Sequence, residues 1–366
     1  MGSLADRIRH RREELGLGVA DVSKLSGLPE SRVTEVEGGS PASTFELARL
    51  ADAVAADPAA LLQGVGDDPK RSSARFRAPG GVTDIAPLDV RLLARAQEAG
   101  RVCAELRKML GEEPSPIARL RRVRFVGDRG PPWRQGYELG LAARSALAPT
   151  SEALDSVQAL LEAQCIHVAF VPFSTKGIEA ASLFESSACP VILLNKAAKR
   201  VKYPLSRRAI LAHELCHLLH DGGQNDLLTL VSRTDDESPV EQRANGFAPS
   251  FIAPGKWVKK GPHTSASGIV SDLAREWGLS FEGAAWHAKN LRKITADDAE
   301  RLISAPRRPN LDGSFEREIA RTPPSQFGVE AEPTALVAGH LAERIIMACA
   351  EGVISKGRAA ELLSLS

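Results

Sequence analysis

The chain has 366 residues, 43% of them apolar and 25% charged, which is sequence enough for two or three domains and excludes a disordered or low-complexity polymer. Lys and Arg (47) nearly cancel Asp and Glu (46), so net charge neither favours nor excludes a polyanionic partner. The N-terminal MGSLADRIRH lacks an apolar signal region and no run nears the roughly 18 apolar residues of a membrane helix, so a cytoplasmic chain without a membrane partner is expected. Cys103, Cys165, Cys189, Cys216 and Cys349 are scattered without a C-x-x-C pair, which reads as buried reduced thiols.

Residues 4–63 read as a run of short helices. Apolar Leu4, Ile8 and Leu15 alternate with charges, Gly16 and Gly18 break the pattern, and Gly27 separates two further helices. A helix capped by Ser43 or Thr44 and a last turn opened by Asp57-Pro58 close the run. Hydrophobic periodicity then lapses in a Gly-, Asp-, Pro- and Ser-rich stretch, a linker over 66–86. Helical spacing returns over 88–111. A Pro- and Arg-rich connection with one short strand near Val123 to Val126 comes next, and then helices over 135–147 and 151–163. CIHVAFVPF (165–173) and PVILLN (190–195) are short, β-branched and bounded by turn residues, so both are expected strands. Beyond Pro204 the pattern predicts helices, including 238–252, 267–277, 281–292, 296–304, 334–351 and 355–364. The expected class is mainly α with a small β-sheet (α+β).

Within ILAHELCHLLHDGG (210–223), His213 and His217 stand four apart on one face of a helix and can direct ring nitrogens at one point. Glu214 lies beside them, placed to act as general base on a water that a zinc ion activates. A catalytic zinc usually takes three protein ligands. His220 shares the face, but one straight helix does not easily wrap three ligands round one ion, and a helix-end role suits it better. The long-spaced pattern with a third histidine also fails, since its last position is Gly223. A carboxylate from another helix is the remaining route, and Glu241 is the best offer. Asn245, one turn on, is placed to hydrogen-bond the outer nitrogen of a ligating histidine.

AHELCHLLH followed by VEQRANGFAPSFIAP resembles the ImmA/IrrE zinc metallopeptidases, whose signature continues Glu-x-x-Ala-Asn-x-Phe-Ala, here Glu241, Ala244, Asn245, Phe247 and Ala248. The resemblance implies a gluzincin-like site, with zinc (Zn2+) on His213, His217 and Glu241 and with Glu214 as catalytic base. It also implies a helical domain with a small sheet beside the active-site helix. PVILLN would be a strand of that sheet, at the edge where a peptide adds. The chain departs from the family at Cys216, at Ile252-Ala253-Pro254 and at Pro249, which should kink or end its helix. Tyr203 and His287 are the candidates for stabilising the oxyanion.

Residues 4–63 resemble the five-helix XRE/Cro helix-turn-helix module. LSGLPESRVTEVEGG matches its turn and recognition helix, with Val33 and Val36 inward and Ser31, Arg32 and Thr34 offered to DNA. Residues 1–64 nevertheless carry seven basic against ten acidic side chains, a net of −3, which weakens attraction to phosphate. Protein docking is therefore the rival to DNA binding.

The expected organisation is a helix-turn-helix domain (1–65), the linker (66–86), a metallopeptidase domain (87–295) and a C-terminal helical region (296–366). That region either packs on the peptidase or pairs two subunits as a homodimer. The expected activity is zinc-dependent endopeptidase cleavage of a protein or peptide substrate such as a transcriptional repressor. The rival is a DNA-binding regulator whose peptidase-like domain is a non-catalytic sensor.

Overall fold

A computed structural model of the chain describes residues 2–64, 85–112, 130–185, 187–221, 227–232 (backbone only), 238–259, 264–305, 336–337 and 339–363. The strand expected near Val123 to Val126 and nearly all of the expected linker lie outside them. By contact the chain divides into two units, one of residues 1–99 with 173–176 and one of 100–172 with 177–366. The architecture is mainly helical with one small sheet.

The first unit contains the five expected helices, α1 (Leu4–Glu14), α2 (Val19–Ser26), α3 (Glu30–Glu37), α4 (Thr44–Ala53) and α5 (Pro58–Gln63). Their ends follow local chemistry. Ser3 with Asp6 and Ser43 with Glu46 form capping boxes, and Asp57 caps α5 ahead of Pro58. Gly27, at φ +66°, ends α2 in the left-handed region open to glycine. Ile8, Val22, Val33, Val36, Leu47 and Leu50 form the core. The first turns of α6 (Pro87–Met109) add Val90 and Ala94 to it. The start of α6 is fastened to residues 173–176. Ala86 N donates to Thr175 Oγ1 at 3.0 Å, and the buried Asp89 carboxylate accepts the Ser174 and Thr175 amides at 2.8 and 2.6 Å.

In the second unit, β1 (His167–Val171), β2 (Ile178–Phe184), β3 (Val191–Asn195) and β4 (Leu227–Ser232) form one sheet in the order β1-β3-β2-β4. β1 runs parallel to β3, and β2 is antiparallel to both β3 and β4. The PVILLN strand therefore lies inside the sheet and not at its edge. Its unbroken apolar run reflects burial of all five residues, as in a strand covered on both faces. The edges belong to β1 and β4, and neither β2 nor β4 stands out as a strand in the sequence. IEAASLF shows no alternation, because its first six residues are all buried.

Helices α7 (Pro132–Leu147) and α11 (Pro239–Ile252) pack backbone to backbone. A Cβ on Gly136 would press into the Arg243 carbonyl and stand 2.7 Å from Phe247 N, and one on Gly140 would stand 2.5 Å from Phe247 O. Only glycine admits that approach. Pro249 does not break α11, which continues to Ile252; it forfeits the one helical bond that its N–H would make to the carbonyl of Asn245.

The helix expected over 151–163 begins at Val157 (α8, Val157–Ala163). Ahead of it two fully buried guanidiniums consume the carbonyls a helix would need. Arg144 donates to Ala148, Thr150 and Glu152, and Arg208 to Leu154 and Asp155. After β3 come α9 (Lys199–Lys202) and α10 (Pro204–Cys216), and beyond α11 come α12 (Ala266–Trp277), α13 (Phe281–Asn290) and α14 (Ala296–Ser304). Ala299 of α14 is buried in the same core as α10 and α11. The chain ends in α15 (His340–Ala350) and α16 (Lys356–Leu363); α15 starts later than the sequence pattern suggested, behind Gly339 at φ +54°. Among the described residues no helix is long and apolar enough to cross a membrane.

Candidate metal centre

Helix α10 opens on Pro204, which tolerates the first helical position because no helical partner awaits its missing N–H. Ile210, Leu211 and Leu215 bury one side of it in the core and so fix its rotation. At His217 the helix widens into a π-helical turn, His217–Asp221, an irregularity frequent at functional sites. Glu241 comes from the first turn of α11, whose N-cap Ser238 accepts the Glu241 amide at 3.2 Å.

These elements bring three buried side chains together. His213 Nε2 and His217 Nε2 are 3.0 Å apart, Glu241 Oε2 is 3.0 Å from His213 Nε2, and Glu241 Oε1 is 3.3 Å from His217 Nε2. The outer nitrogens are engaged from behind. His213 Nδ1 meets Asn245 Oδ1 at 3.1 Å and His217 Nδ1 meets Asp221 Oδ2 at 2.7 Å. Each Nδ1 therefore carries the proton, and each Nε2 turns a lone pair inward. Asp221 also binds the Arg243 guanidinium.

Two lone pairs and a carboxylate aimed at one point need a cation between them. Burial alone would lower the His217 pKa, but hydrogen bonds to Asp221 and Glu241 outweigh it and push it up to about 10. Burial would likewise raise that of Glu241, yet its bonds from His213 and His217 hold it at about 2. A metal ion can stand in for the shared proton. Bonds of about 2.0–2.2 Å in a tetrahedron place ligand atoms roughly 3.3–3.5 Å apart, close to the spacing seen here. Among the described residues, this trio is the one group of His, Cys, Asp or Glu with donor atoms gathered for a metal ion.

Glu214 completes the fit. It is fully buried, and neither carboxylate oxygen has a hydrogen-bond partner among the described residues. Burial raises its pKa, against the opposing pull of the His217 and His213 charges and of the Ser182 hydroxyl on β2, which stops short of hydrogen-bond geometry. A carboxylate so placed costs several kcal/mol to keep ionised without a compensating charge or proton, on the order expected for an unpaired buried ion.

The remaining expected residues stand elsewhere. His220 lies tilted on Phe247, with ring centroids 5.9 Å apart, outside the donor trio, and burial drops its pKa to about 4. Tyr203 is the exposed N-cap of α10, ten residues before His213, which is about 15 Å along a helix. His287 spends both ring nitrogens on structure. Nε2 donates to Ala253 O at 2.7 Å and Nδ1 accepts from Tyr137 at 2.8 Å. Ala253 lies twelve residues past Glu241, about 18 Å along α11. Neither expected oxyanion stabiliser reaches the centre. In the first unit Ser31 and Thr34 are exposed, but Arg32 is held by Glu46 at 2.7 Å, by Glu35 at 2.9 Å and by the Pro41 carbonyl. The one contributor missed from sequence is Asp221; a carboxylate four residues past the second histidine of the pair was its signal.

Comparison with protein families matches residues 161–287 to the IrrE N-terminal-like domain, a peptidase family, and residues 3–63 to a helix-turn-helix domain. Comparison with curated proteins and with solved structures gives no match. The chain thus carries an IrrE N-terminal-like domain behind a helix-turn-helix domain, and His213, Glu214, His217 and Glu241 all fall inside the peptidase match.

Proposed function

We propose that the chain is a zinc-dependent endopeptidase joined to a DNA-contacting helix-turn-helix module, and that it cleaves a regulatory protein such as a repressor. The observation that carries this reading is the convergence of His213, His217 and Glu241 beside a buried Glu214 whose carboxylate has no hydrogen-bond partner among the described residues. His213, His217 and Glu241 would hold the ion, with Asn245 and Asp221 fixing the histidine tautomers. When bound, zinc would polarise the peptide carbonyl and ease the ionisation of water. Glu214 takes the proton from the attacking water and passes it to the leaving amine, a task suited to a dry carboxylate with raised proton affinity. A purely sensing domain would leave that costly carboxylate without a purpose. Strand β4 follows the π-helical turn and is an edge of the sheet, so an extended peptide can add beside it.

The helix-turn-helix match supports DNA contact through Ser31 and Thr34, made weak by the acidic module and by the occupied Arg32. Mobility shift of the full chain on promoter DNA should show binding that fades steeply with salt; none at low salt removes this part of the reading.

The test of the peptidase is paired. Wild type and Glu214→Gln should each carry one zinc per chain by elemental analysis, and His213→Ala should carry none. Cleavage of a mixed-sequence peptide pool should fall in Glu214→Gln by about 10²–10⁴-fold, the usual worth of a general base. Undiminished cleavage in that variant overturns the mechanism, and a zinc-free wild type overturns the site.

A further inference from the structure

The five cysteines are far apart in sequence, but two of them meet in the second unit. Cys189, just ahead of β3, donates its amide to the Gly100 carbonyl of α6 at 3.0 Å. A Cβ on Gly100 would stand 2.6 Å from the Cys189 carbonyl oxygen, so α6 passes the Cys189 backbone at the closest approach glycine allows. Cys103 lies three residues on from Gly100, on the same face of that helix. Its thiol and the Cys189 thiol are in hydrogen-bonding contact, and both residues are buried. Neither sulfur is bonded to another.

We infer that Cys103 and Cys189 are a redox-active dithiol, a modification site that a hydroperoxide converts to a disulfide joining α6 to the approach of β3. The Arg344 and Arg107 guanidiniums favour the thiolate at either sulfur. The bond from Cys189 favours the Cys103 thiolate; burial opposes it, and the Arg344 and Arg107 guanidiniums favour it again. Glu112, whose own charge opposes the Cys103 thiolate, pairs with both guanidiniums, Arg107 at 3.6 Å and Arg344 in closer contact. Cys189 keeps its proton, held by its bond to Cys103 and by burial. Arg107 stands one turn on from Cys103 on the same face of α6, which makes Cys103 the attacking sulfur and Cys189 the resolving one.

The chemistry balances with one hydroperoxide per disulfide. The Cys103 thiolate attacks the peroxide, the O–O bond breaks, and the departing alkoxide or hydroxide takes the proton that Cys103 gave up. The resulting sulfenic acid is attacked by the Cys189 sulfur. The S–S bond forms, the S–O bond breaks, and hydroxide leaves as water with the Cys189 proton. Two thiols are oxidised by two electrons, and the peroxide is reduced by two.

The experiment treats the full-length, zinc-supplemented protein with stoichiometric hydrogen peroxide and then follows intact mass, thiol count in denaturant and peptide mapping. The expected result is a loss of about 2 Da, a fall from five titratable thiols to three, and a linked Cys103–Cys189 peptide, all reversed by dithiothreitol. Cys189→Ser should stop at a sulfenic acid on Cys103, trapped by dimedone, and Cys103→Ser should retain its thiols under the same dose. Alanine versions of both variants repeat the measurement should either serine protein fail to fold. Unchanged thiols in wild type, or a disulfide that maps to Cys165, Cys216 or Cys349, overturns the assignment. Neither readout depends on peptidase activity, so the proposed reaction and this site fail separately.

Discussion

Asp221 and Asn245 occupy equivalent places, one behind each histidine of the trio, but the residues that supply them differ in kind. Asn245 comes from the helix that also brings Glu241, whereas Asp221 closes the π-helical turn of the histidine helix itself and is further charged against Arg243. Removing the Asp221 charge should loosen His217 without deleting a ligand. Asp221→Asn is expected to weaken zinc affinity by about 10–100-fold, measured by competition with a chromophoric chelator. An unchanged affinity would show that Asp221 serves only to anchor Arg243. At this scale most of the candidate site was legible in sequence, because the geometry of a helix converts four-residue spacing directly into shared direction. His213 and His217 follow from that rule, Glu214 from its place beside them, and Glu241 from the need for a third donor. Tyr203 and His287 could not be judged in the same way. Their distance from the centre is set by how far two helices run, and the occupation of His287 by Tyr137 and Ala253 depends on tertiary packing.

Helices α7 and α11 hold Glu241 in place through a contact that the sequence does not advertise. Gly136, Gly140 and Gly246 let their backbones touch; a Cβ on Gly246 would enter the Trp133 carbonyl, with no flexible side chain to yield. Gly246→Ala should therefore destabilise the protein by about 1–3 kcal/mol, the usual cost of overpacking. Chemical denaturation reads this directly, and a midpoint equal to wild type would mean the helices separate at little cost. Zinc affinity should fall alongside, since α11 carries Glu241. The helices themselves were legible, because amphipathic spacing, caps and prolines at first positions mark them locally. Strands β2 and β4 were not. A strand buried on both faces shows no alternation, and Ile178–Phe184, with Ala180-Ala181-Ser182 at its centre, has little to set it apart from helix or loop. The start of α8 was misplaced for a related reason, as Arg144 and Arg208 capture the preceding carbonyls from elements distant in sequence.

For the molecule as a whole, two buried histidines predict a response to acid. His287 is pushed down to about 4 by burial, against the bond to Ala253, and His167 likewise to about 4, against its bond to Leu336. Their folded pKa values lie below the unfolded value of 6.5, so the unfolded chain binds more protons between the two and stability rises with pH there. The stabilisation is whole above about pH 6.5 and is lost as pH falls through 4, at an upper bound of roughly 3 kcal/mol for each group. Denaturation between pH 7 and pH 4.5 should show that decline, and His167→Gln with His287→Gln should lessen it, leaving the share of His220, which burial also holds at about 4; an equally steep decline in the double variant would assign it to other groups. A last consequence lies in the fastening at the start of α6. Asp89 takes two backbone amides, and Ala86 gives its own, to residues 173–176, which come from within the span of the peptidase match. The helix-turn-helix unit is thus assembled from two separate stretches of the gene. A recombination event that exchanged the front of this protein at a single crossover near residue 65 would set an imported module against a Val90 and Ala94 that its core was never matched to. Inheritance of this arrangement favours descent as one piece over shuffling of parts.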